Sequence, residues 1–235
     1  PRSTPLYSSA ASDVYKRQSI YYMEQPVYSP SLAMYCYTNK ILHDNGIVVT
    51  MAGDMGDEVL GGYPKYWKLR KESLKTWTDV IDKWINRIKR PIKVYDKVVL
   101  RNEMLKCYPE DLWNPNDPIG SYMALDCVAQ VPEEFLMRND KYGMAYSMEG
   151  RFPLATKTFM QHCMNIHSDQ KIGKEKGDTK LLTKIAYKDL LPNVIINKMK
   201  TGWTVPLQHW WNKSGKANIP AMILEDWKKT YRVKT

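Results

Sequence analysis

The sequence predicts an α/β fold in which helices far outnumber strands, and three observations carry that expectation. One short β-branched run, Ile47-Val-Val-Thr-Met51, has the length and composition of a buried strand. It feeds directly into the acidic glycine turn Ala52-Gly-Asp-Met-Gly-Asp-Glu58, and a strand feeding a turn and then a helix puts that turn at the carboxyl edge of a sheet, where open α/β folds bind ligands. Most of the remaining chain carries helical spacing, without a second confident strand. A lone strand makes no sheet, so its partners are expected outside this chain.

Residues 1–18 are rich in Ser, Ala and Pro, show neither helical nor strand period, and lack the apolar stretch of a secretory signal. Ser8 to Gln18 resembles the translation of an adaptor that transposase-based sequencing libraries attach to DNA fragments. Pro1-Arg-Ser-Thr4 fits the flanking primer, with an index between them at Pro5-Leu-Tyr7. The segment is expected to be adaptor-derived and disordered, leaving 19–235 as the domain.

Ser19 to Tyr28 is aromatic and irregular, broken by Pro26 and Pro30. A helix is expected from Ser31 to about Gly46, whose permissive backbone suits a C-terminal cap. After the strand and the turn, Trp77, Val80, Ile81, Trp84, Ile85 and Ile88 recur at i, i+3, i+4 and i+7 with charged residues between them, an amphipathic helix with a core-facing aromatic face that Pro91 stops. Residues 117–147 and 156–167 read as helices, with Pro132 at a helix start and turn residues Asp169 and Gly173 beyond. Lys180 to Leu191 reads as another, closed by Pro192.

Composition bounds the function. The 235 residues are 43% hydrophobic and 26% charged, enough for one sizeable core and too apolar for a disordered chain. No apolar stretch is long enough to span a membrane. Cys36, Cys107, Cys127 and Cys163 are far apart without a C-x-x-C pair, which disfavours a zinc site or a disulfide framework and makes free thiols in a reducing cytosol the expectation. The net charge of +10, or +8 without three basic residues and one acidic residue of the first eighteen, admits nucleic acid, anionic lipid or polyphosphate as partner. The basic residues are spread through helices rather than gathered in a stripe, which argues against nucleic acid.

Three segments could carry chemistry. Asp54, Asp57 and Glu58 are three carboxylates in five positions; they are either an acidic helix N-terminus capped by Asp57 or a site neutralised by Mg²⁺ carrying substrate phosphates. The N–H groups of Gly53 and Gly56 could meet phosphate or carboxylate oxygens. Glu149 and Arg151, two apart beside Pro153, form either an ion pair or a cleft lining. Asn197 to Pro206 is a basic glycine-containing loop, in which Lys200 either is solvated or serves as a mobile charge for leaving phosphates.

In this order the segments resemble the synthetase domain of the asparagine synthase (glutamine-hydrolysing) family. The family pattern Ser-Gly-(Asp/Glu)-Gly-(Gly/Ser)-Asp-Glu-x-Phe-(Gly/Ala)-Gly-Tyr stands here as Ala52 to Tyr63. Its Asp-Arg-x-x-Met-Ala-x-Ser-x-Glu-x-Arg-x-Pro-Phe-Leu-Asp stands as Asp140 to Thr156. Its Thr-Lys-x-Leu-Leu-Arg-x-Ala, Leu-Pro and Lys-x-Gly-Phe-x-x-Pro appear as Thr179 to Ala186, Leu191-Pro192 and Lys200 to Pro206. Met23-Glu-Gln-Pro26 with Ser29-Pro-Ser31 resembles a fourth stretch, so the likeness runs from Tyr21 to Trp211.

The resemblance implies an ATP-pyrophosphatase (adenine nucleotide alpha-hydrolase-like) fold, truncated here and therefore predominantly helical. It implies ATP and Mg²⁺, adenylation of a carboxylate, with aspartate as the first candidate, and attack by glutamine-derived ammonia to give an amide. Carried over residue by residue, Asp57 would ligand Mg²⁺, and Gly53 and Gly56 would shape the turn around nucleotide and intermediate. Asp54 would orient substrate or receive protons, Lys200 would stabilise the departing pyrophosphate, and Lys180 would bind nucleotide. Glu149 and Arg151 would line the acceptor side or hold its helix. The same resemblance implies a cytoplasmic enzyme, with a homodimer as one possible assembly, and small molecules rather than nucleic acid or membrane as partners.

Departures from the pattern qualify that implication. Met55 replaces a glycine, so either its backbone has negative φ or the loop is altered. Leu154-Ala-Thr156 replaces Phe-Leu-Asp, losing a carboxylate on the acceptor side, and Lys184 replaces an Arg. These changes leave room for a lactam- or macrolactam-forming relative, an amidotransferase with another acceptor, or a non-catalytic scaffold. The family's nucleotide loop, Ser-Gly-Gly-x-Asp-Ser, lies on an earlier strand, whereas only the 33 residues Ser19 to Met51 precede the turn here. The glutaminase domain is likewise not represented. The expectation is a C-terminal part of a larger enzyme, inactive alone.

Overall fold

The computed structural model describes residues 9–25, 31–87, 96–175, 177–198, 200 and 219–232. Its first helix, α1 (Ser9–Met23), runs through Ser9 to Gln18, where disorder was expected, and through Ser19 to Met23, where irregular structure was expected, residues 1–8 lying outside the described ones. Tertiary packing supplies what local periodicity lacks. Ile20 is buried with Ala33 of α2 (Leu32–Asp44) and Ile223 of the helix Ile219–Tyr231, while Met23 joins Leu32, Cys36 and Tyr142. Tyr142 donates its hydroxyl to Ser19 O at 2.9 Å, so the same helix is tied by polar contact too.

Helix α2 ends as expected at Gly46, whose φ of 76° lets Ile47 N bond back to Leu42 O at 3.0 Å. Strand β1 (Val49–Met51) follows, but two expectations about it fail. It has a partner within the chain: β2 (Glu149–Arg151) runs parallel to it, with Val49 opposite Glu149 and Met51 opposite Arg151. Glu-Gly-Arg carries no β signature, so its strand conformation comes from register with β1 and not from propensity. Nor is β1 buried, since Val49 is 39% and Met51 74% exposed. A strand with one described neighbour and no described layer over it keeps its apolar side chains in solvent.

The main core lies away from this small sheet, between α4 (Pro64–Leu69), α5 (Trp77–Asn86), α6 (Lys97–Cys107) and α7 (Pro118–Leu125). Helix α5 begins at a reciprocal capping box in which Asp79 N donates to Thr76 Oγ1 and Thr76 N to Asp79 Oδ2. Trp77, Val80, Ile81 and Ile85 are buried, the face that its periodicity predicts; Ile88 and Pro91 lie outside the described residues.

Residues 118 to 144 are helical throughout, but Pro132 does not start a helix as expected. It sits inside the π-helical stretch Asp126–Leu136, which joins α7 to α8 (Met137–Met144). A wider turn accommodates a residue without an N–H donor. After β2 come α9 (Lys157–Met164) and α10 (Ser168–Lys171), so Asp169 belongs to a helix and not to a turn. The expected helix from Lys180 to Leu191 is shorter, α11 (Leu181–Ala186), with turns before α12 (Asn193–Ile196). All four cysteines are free, with Cys36, Cys127 and Cys163 buried. Among the described residues no helix is long and apolar enough to cross a membrane.

Candidate functional site

The acidic turn leaves the end of β1, where Ala52 N extends the ladder by bonding Arg151 O at 2.9 Å. The chain reverses at Met55, whose φ of 76° lies in the left-handed region, and enters α3 (Gly56–Leu60). Of the two expected consequences of a methionine there, negative φ is overturned. The left-handed backbone persists, and the Met55 side chain is buried with Val59, Cys127, Val131 and Cys163. Burial of that thioether offsets the strain of a side chain at positive φ. Helix α3 ends at Gly61, with φ of 73°, where an added Cβ would lie 2.7 Å from Ile172.

Asp57 stands in the first turn of α3 and does not cap it, because the N-cap position is Met55. Its carboxylate is held from two sides: Lys180 Nζ lies 2.8 Å from Oδ1, and Lys200 Nζ 2.5 Å from Oδ2. Burial by itself raises a carboxyl pKa, but the hydrogen bonds from the two lysines outweigh it and hold Asp57 below the usual carboxylate range. Lys180 has φ of 54°, and its backbone N bonds Gly61 O, so the start of α11 is pinned against the end of α3. Gly62 permits the clamp, since a Cβ there would fall 1.9 Å from Asp57 Oδ1 and 2.6 Å from Lys180 Cε.

These residues open onto a cavity of about 380 Å³ whose lining adds Thr179, Thr183, Lys184 and Lys198 to Asp57, Lys180 and Lys200. Four lysines around one carboxylate make a basin with excess positive charge, suited to a polyanion. Leu191, Ile195 and Ile196 form its apolar wall.

The two other carboxylates of the turn point elsewhere. Asp54 accepts a hydrogen bond from Asn139 Nδ2 at 3.1 Å. Burial raises its pKa, opposed by Arg138 and by Asn139. Glu58 is fully buried, and burial raises its pKa against a hydrogen bond from Tyr63. Three carboxylates within five positions are thus driven apart, one held ionised and two pushed toward the protonated form.

The remaining expectations divide. Glu149 and Arg151 are an ion pair, Arg151 Nε reaching Glu149 Oε1 at 3.0 Å, with both side chains mostly in solvent. Their side chains do not line the lysine cavity. Gly56 N is engaged with Gly53 O at 3.2 Å, and Leu154 Cδ1 lies 2.8 Å from where a Gly56 Cβ would stand, so Gly56 offers close packing more than a donor. Gly53 is exposed, and nothing within 4 Å would meet its Cβ.

Sequence reasoning missed the polar centre behind the turn. Asp126, fully buried, is met by Arg87 at 2.5 Å, Lys65 at 2.6 Å, Tyr66 Oη at 2.7 Å and Trp84 Nε1 at 2.9 Å. Lys65 Nζ also lies 4.8 Å from the Tyr63 ring centre, and Lys200 Nζ lies 5.5 Å from the same ring. Tyr63 therefore stands between the buried network and the cavity. An available signal was Asp126 on an otherwise apolar helical face, which needs a paired charge if buried.

Among the described residues no group of three or more His, Cys, Asp or Glu side chains converges to hold a metal. Asp57 alone fits Mg²⁺ of the kind that takes one or two carboxylates and completes its shell with water and substrate phosphates.

A family model described as Asparagine synthase matches residues 6–231, nearly the whole chain. A similar protein is asparagine synthetase [glutamine-hydrolyzing] 1 of Bacillus subtilis (strain 168), 22% identical over 229 residues that take in 81% of this chain and 36% of the relative. The chain thus spans about a third of that relative's length.

Proposed function

The chain belongs to the asparagine synthase family, and from that premise we propose that it is part of an ATP-dependent ligase that adenylates a carboxylate, aspartate first among candidates, and converts it to an amide with glutamine-derived ammonia. The observation that carries this reading is the clamp on Asp57 at the mouth of a lysine-lined cavity. Such a basin attracts the phosphates of ATP and then the pyrophosphate that leaves.

In this reading Lys180, with Lys184 and Lys198, binds the phosphates, and Lys200 leaves Asp57 to meet charge that grows on the departing pyrophosphate. Asp57, freed of its lysines, would be the residue to hold Mg²⁺, which would supply neutralisation of the phosphate oxygens. Adenylyl transfer is mostly positioning and charge neutralisation, so these roles need no covalent protein intermediate. Gly53 and Gly56 keep the turn narrow beside the activated carboxyl. Asp54 lies on the acceptor side, where a carboxyl with a raised pKa is a better acceptor for a proton of attacking ammonia than an ordinary aspartate. Glu149 and Arg151 border that side from β2, the strand whose carbonyl at Arg151 anchors Ala52. A glutaminase portion in the whole enzyme, a cytoplasmic setting and the adaptor origin of residues 1–18 belong to the same proposal.

A different acceptor is favoured by one observation: Leu154 packs against Gly56, and Thr156 Oγ1 turns back to Pro153 O, where the family pattern carries Phe and Asp. The acceptor side thereby lacks the carboxylate that the family pattern places there. Carboxylate-dependent exchange of labelled pyrophosphate into ATP tests both readings. Exchange with aspartate supports the first, exchange with another acid only supports the second, and no exchange from the protein with its natural upstream sequence removes the ligase reading.

A further inference from the structure

Asn139 on α8 makes two hydrogen bonds from a single atom. Its Nδ2 donates to Phe135 O at 3.0 Å, one helical turn back, and to Asp54 Oδ2 at 3.1 Å, across 85 positions of sequence. A side-chain amide nitrogen has two protons, and these bonds use both. The amide orientation is fixed by this pairing, because the flipped form would set an acceptor oxygen against a carbonyl and a carboxylate.

The consequence falls on Asp54. An oxygen that accepts an N–H bond is stabilised as the carbonyl oxygen of a protonated carboxyl, and the proton then belongs on the other oxygen. We propose that Asn139 is a positioning residue that holds Asp54 Oδ2 as an acceptor, so that Asp54 exchanges its proton through Oδ1. This rests on the reading in which Asp54 serves the acceptor side. There, ammonia nitrogen forms the new C–N bond, one of its protons passes to Oδ1, and AMP departs with the electron pair of the broken C–O bond. Oδ2 takes no proton and keeps the carboxyl plane fixed through the transfer.

The charged and titratable groups around Asp54 are few. Arg138, beside Asn139 on α8, favours the ionised form; Asp57 across the turn disfavours it; Tyr35 on α2 feels the Asp54 charge in turn. Asn139 acts with Arg138 against the effect of burial. Removing its donor therefore raises the Asp54 pKa further.

The test uses the chain labelled with ¹³C-aspartate, the Asp54 carboxyl resonance being identified by its loss in Asp54→Asn. In Asn139→Ala the Asp54 titration is expected to move up by about one unit. Asn139→Ser, which keeps a short donor, is expected to recover part of that shift, and the amide spectrum of each variant reports folding. An unmoved Asp54 titration in folded Asn139→Ala, or a serine variant no different from alanine, overturns the proposal. In ammonia-dependent amide formation by the protein with its natural upstream sequence, the acid limb of kcat is expected to rise by the same unit, with KM for ATP within about twofold. A shifted Asp54 without any carboxylate-dependent exchange keeps the positioning role and removes the ligase reading. Exchange with an unshifted Asp54 does the reverse.

Discussion

Lys200 Nζ meets Asp57 Oδ2 at 2.5 Å across 143 positions of sequence, and Lys180 holds the other oxygen of the same carboxylate. Two ammonium groups on one carboxylate leave a net positive charge that the turn itself does not neutralise. In the proposed reading the pair is a resting arrangement whose lysines turn to phosphates when these arrive.

That arrangement separates binding from turnover. Lys200→Ala leaves Lys180, Lys184 and Lys198 at the cavity, so ATP is expected to bind with KM changed by less than about threefold, while kcat for pyrophosphate exchange falls by about 10²–10³-fold. Lys180→Ala, which removes a cation already in place and keeps the backbone bond that pins α11 to α3, is expected to raise KM more than it lowers kcat. Steady-state kinetics of both variants decide this, and equal losses in the two parameters for Lys200→Ala would sink its role in pyrophosphate departure.

Met55 makes a stability prediction with an unusual order. A buried methionine cut to alanine costs about 2–5 kcal/mol. Met55→Gly loses the same side chain but sheds the left-handed strain, worth about 1–2 kcal/mol. Glycine is therefore expected to be the less damaging replacement by about 1 kcal/mol in urea unfolding, the reverse of the ranking in a helix interior. Alanine proving the milder change would mean that the backbone at 55 is relaxed.

What the sequence made legible was the order of chemistry-bearing segments and the one helix with strong period. The turn from Ala52 to Glu58, the α5 face and the Gly46 cap follow from spacing and local backbone rules. Strand β2 was hidden because its conformation depends on β1, and α1 because its register is set by residues far along the chain. Of the site, the union of Asp57 with Lys200 was readable only through resemblance, since a basic loop and an acidic turn have no pairwise signal. Asn139 and Asp126 were missed because an isolated polar residue in a helix looks solvated until its partner is seen, although Asp126 stood on an otherwise apolar face.

Asp126 is the larger of those omissions. Asp126→Ala would leave Lys65 and Arg87 partly buried without their counter-charge, and a loss of about 3–5 kcal/mol is expected. Asp126→Asn keeps acceptor capacity for Tyr66 and Trp84 and is expected to lose less. Chemical denaturation measures both, and an alanine variant within about 1 kcal/mol of the parent would show the network to be dispensable.

Adjacent carboxylates of the turn should respond to pH with opposite signs. Asp57 has a depressed pKa in the folded chain, so its stabilising contribution is present above its unfolded pKa of about 3.9 and is lost as pH falls through the folded value. Glu58 has a raised pKa, so the folded chain binds its proton more tightly than the unfolded chain does. Its contribution is fully present below the unfolded pKa of about 4.3 and is lost as pH rises through the folded one. Neutral isosteres expose the difference. Asp57→Asn is expected to cost more stability at pH 7 than at about pH 3, whereas Glu58→Gln, which still accepts from Tyr63, is expected to compare better with the parent at pH 7 than at about pH 3. Urea unfolding at the two pH values, with a chelator present so that no cation charges Asp57, gives both slopes. Slopes of the same sign would mean that the lysine clamp does not govern Asp57 in solution.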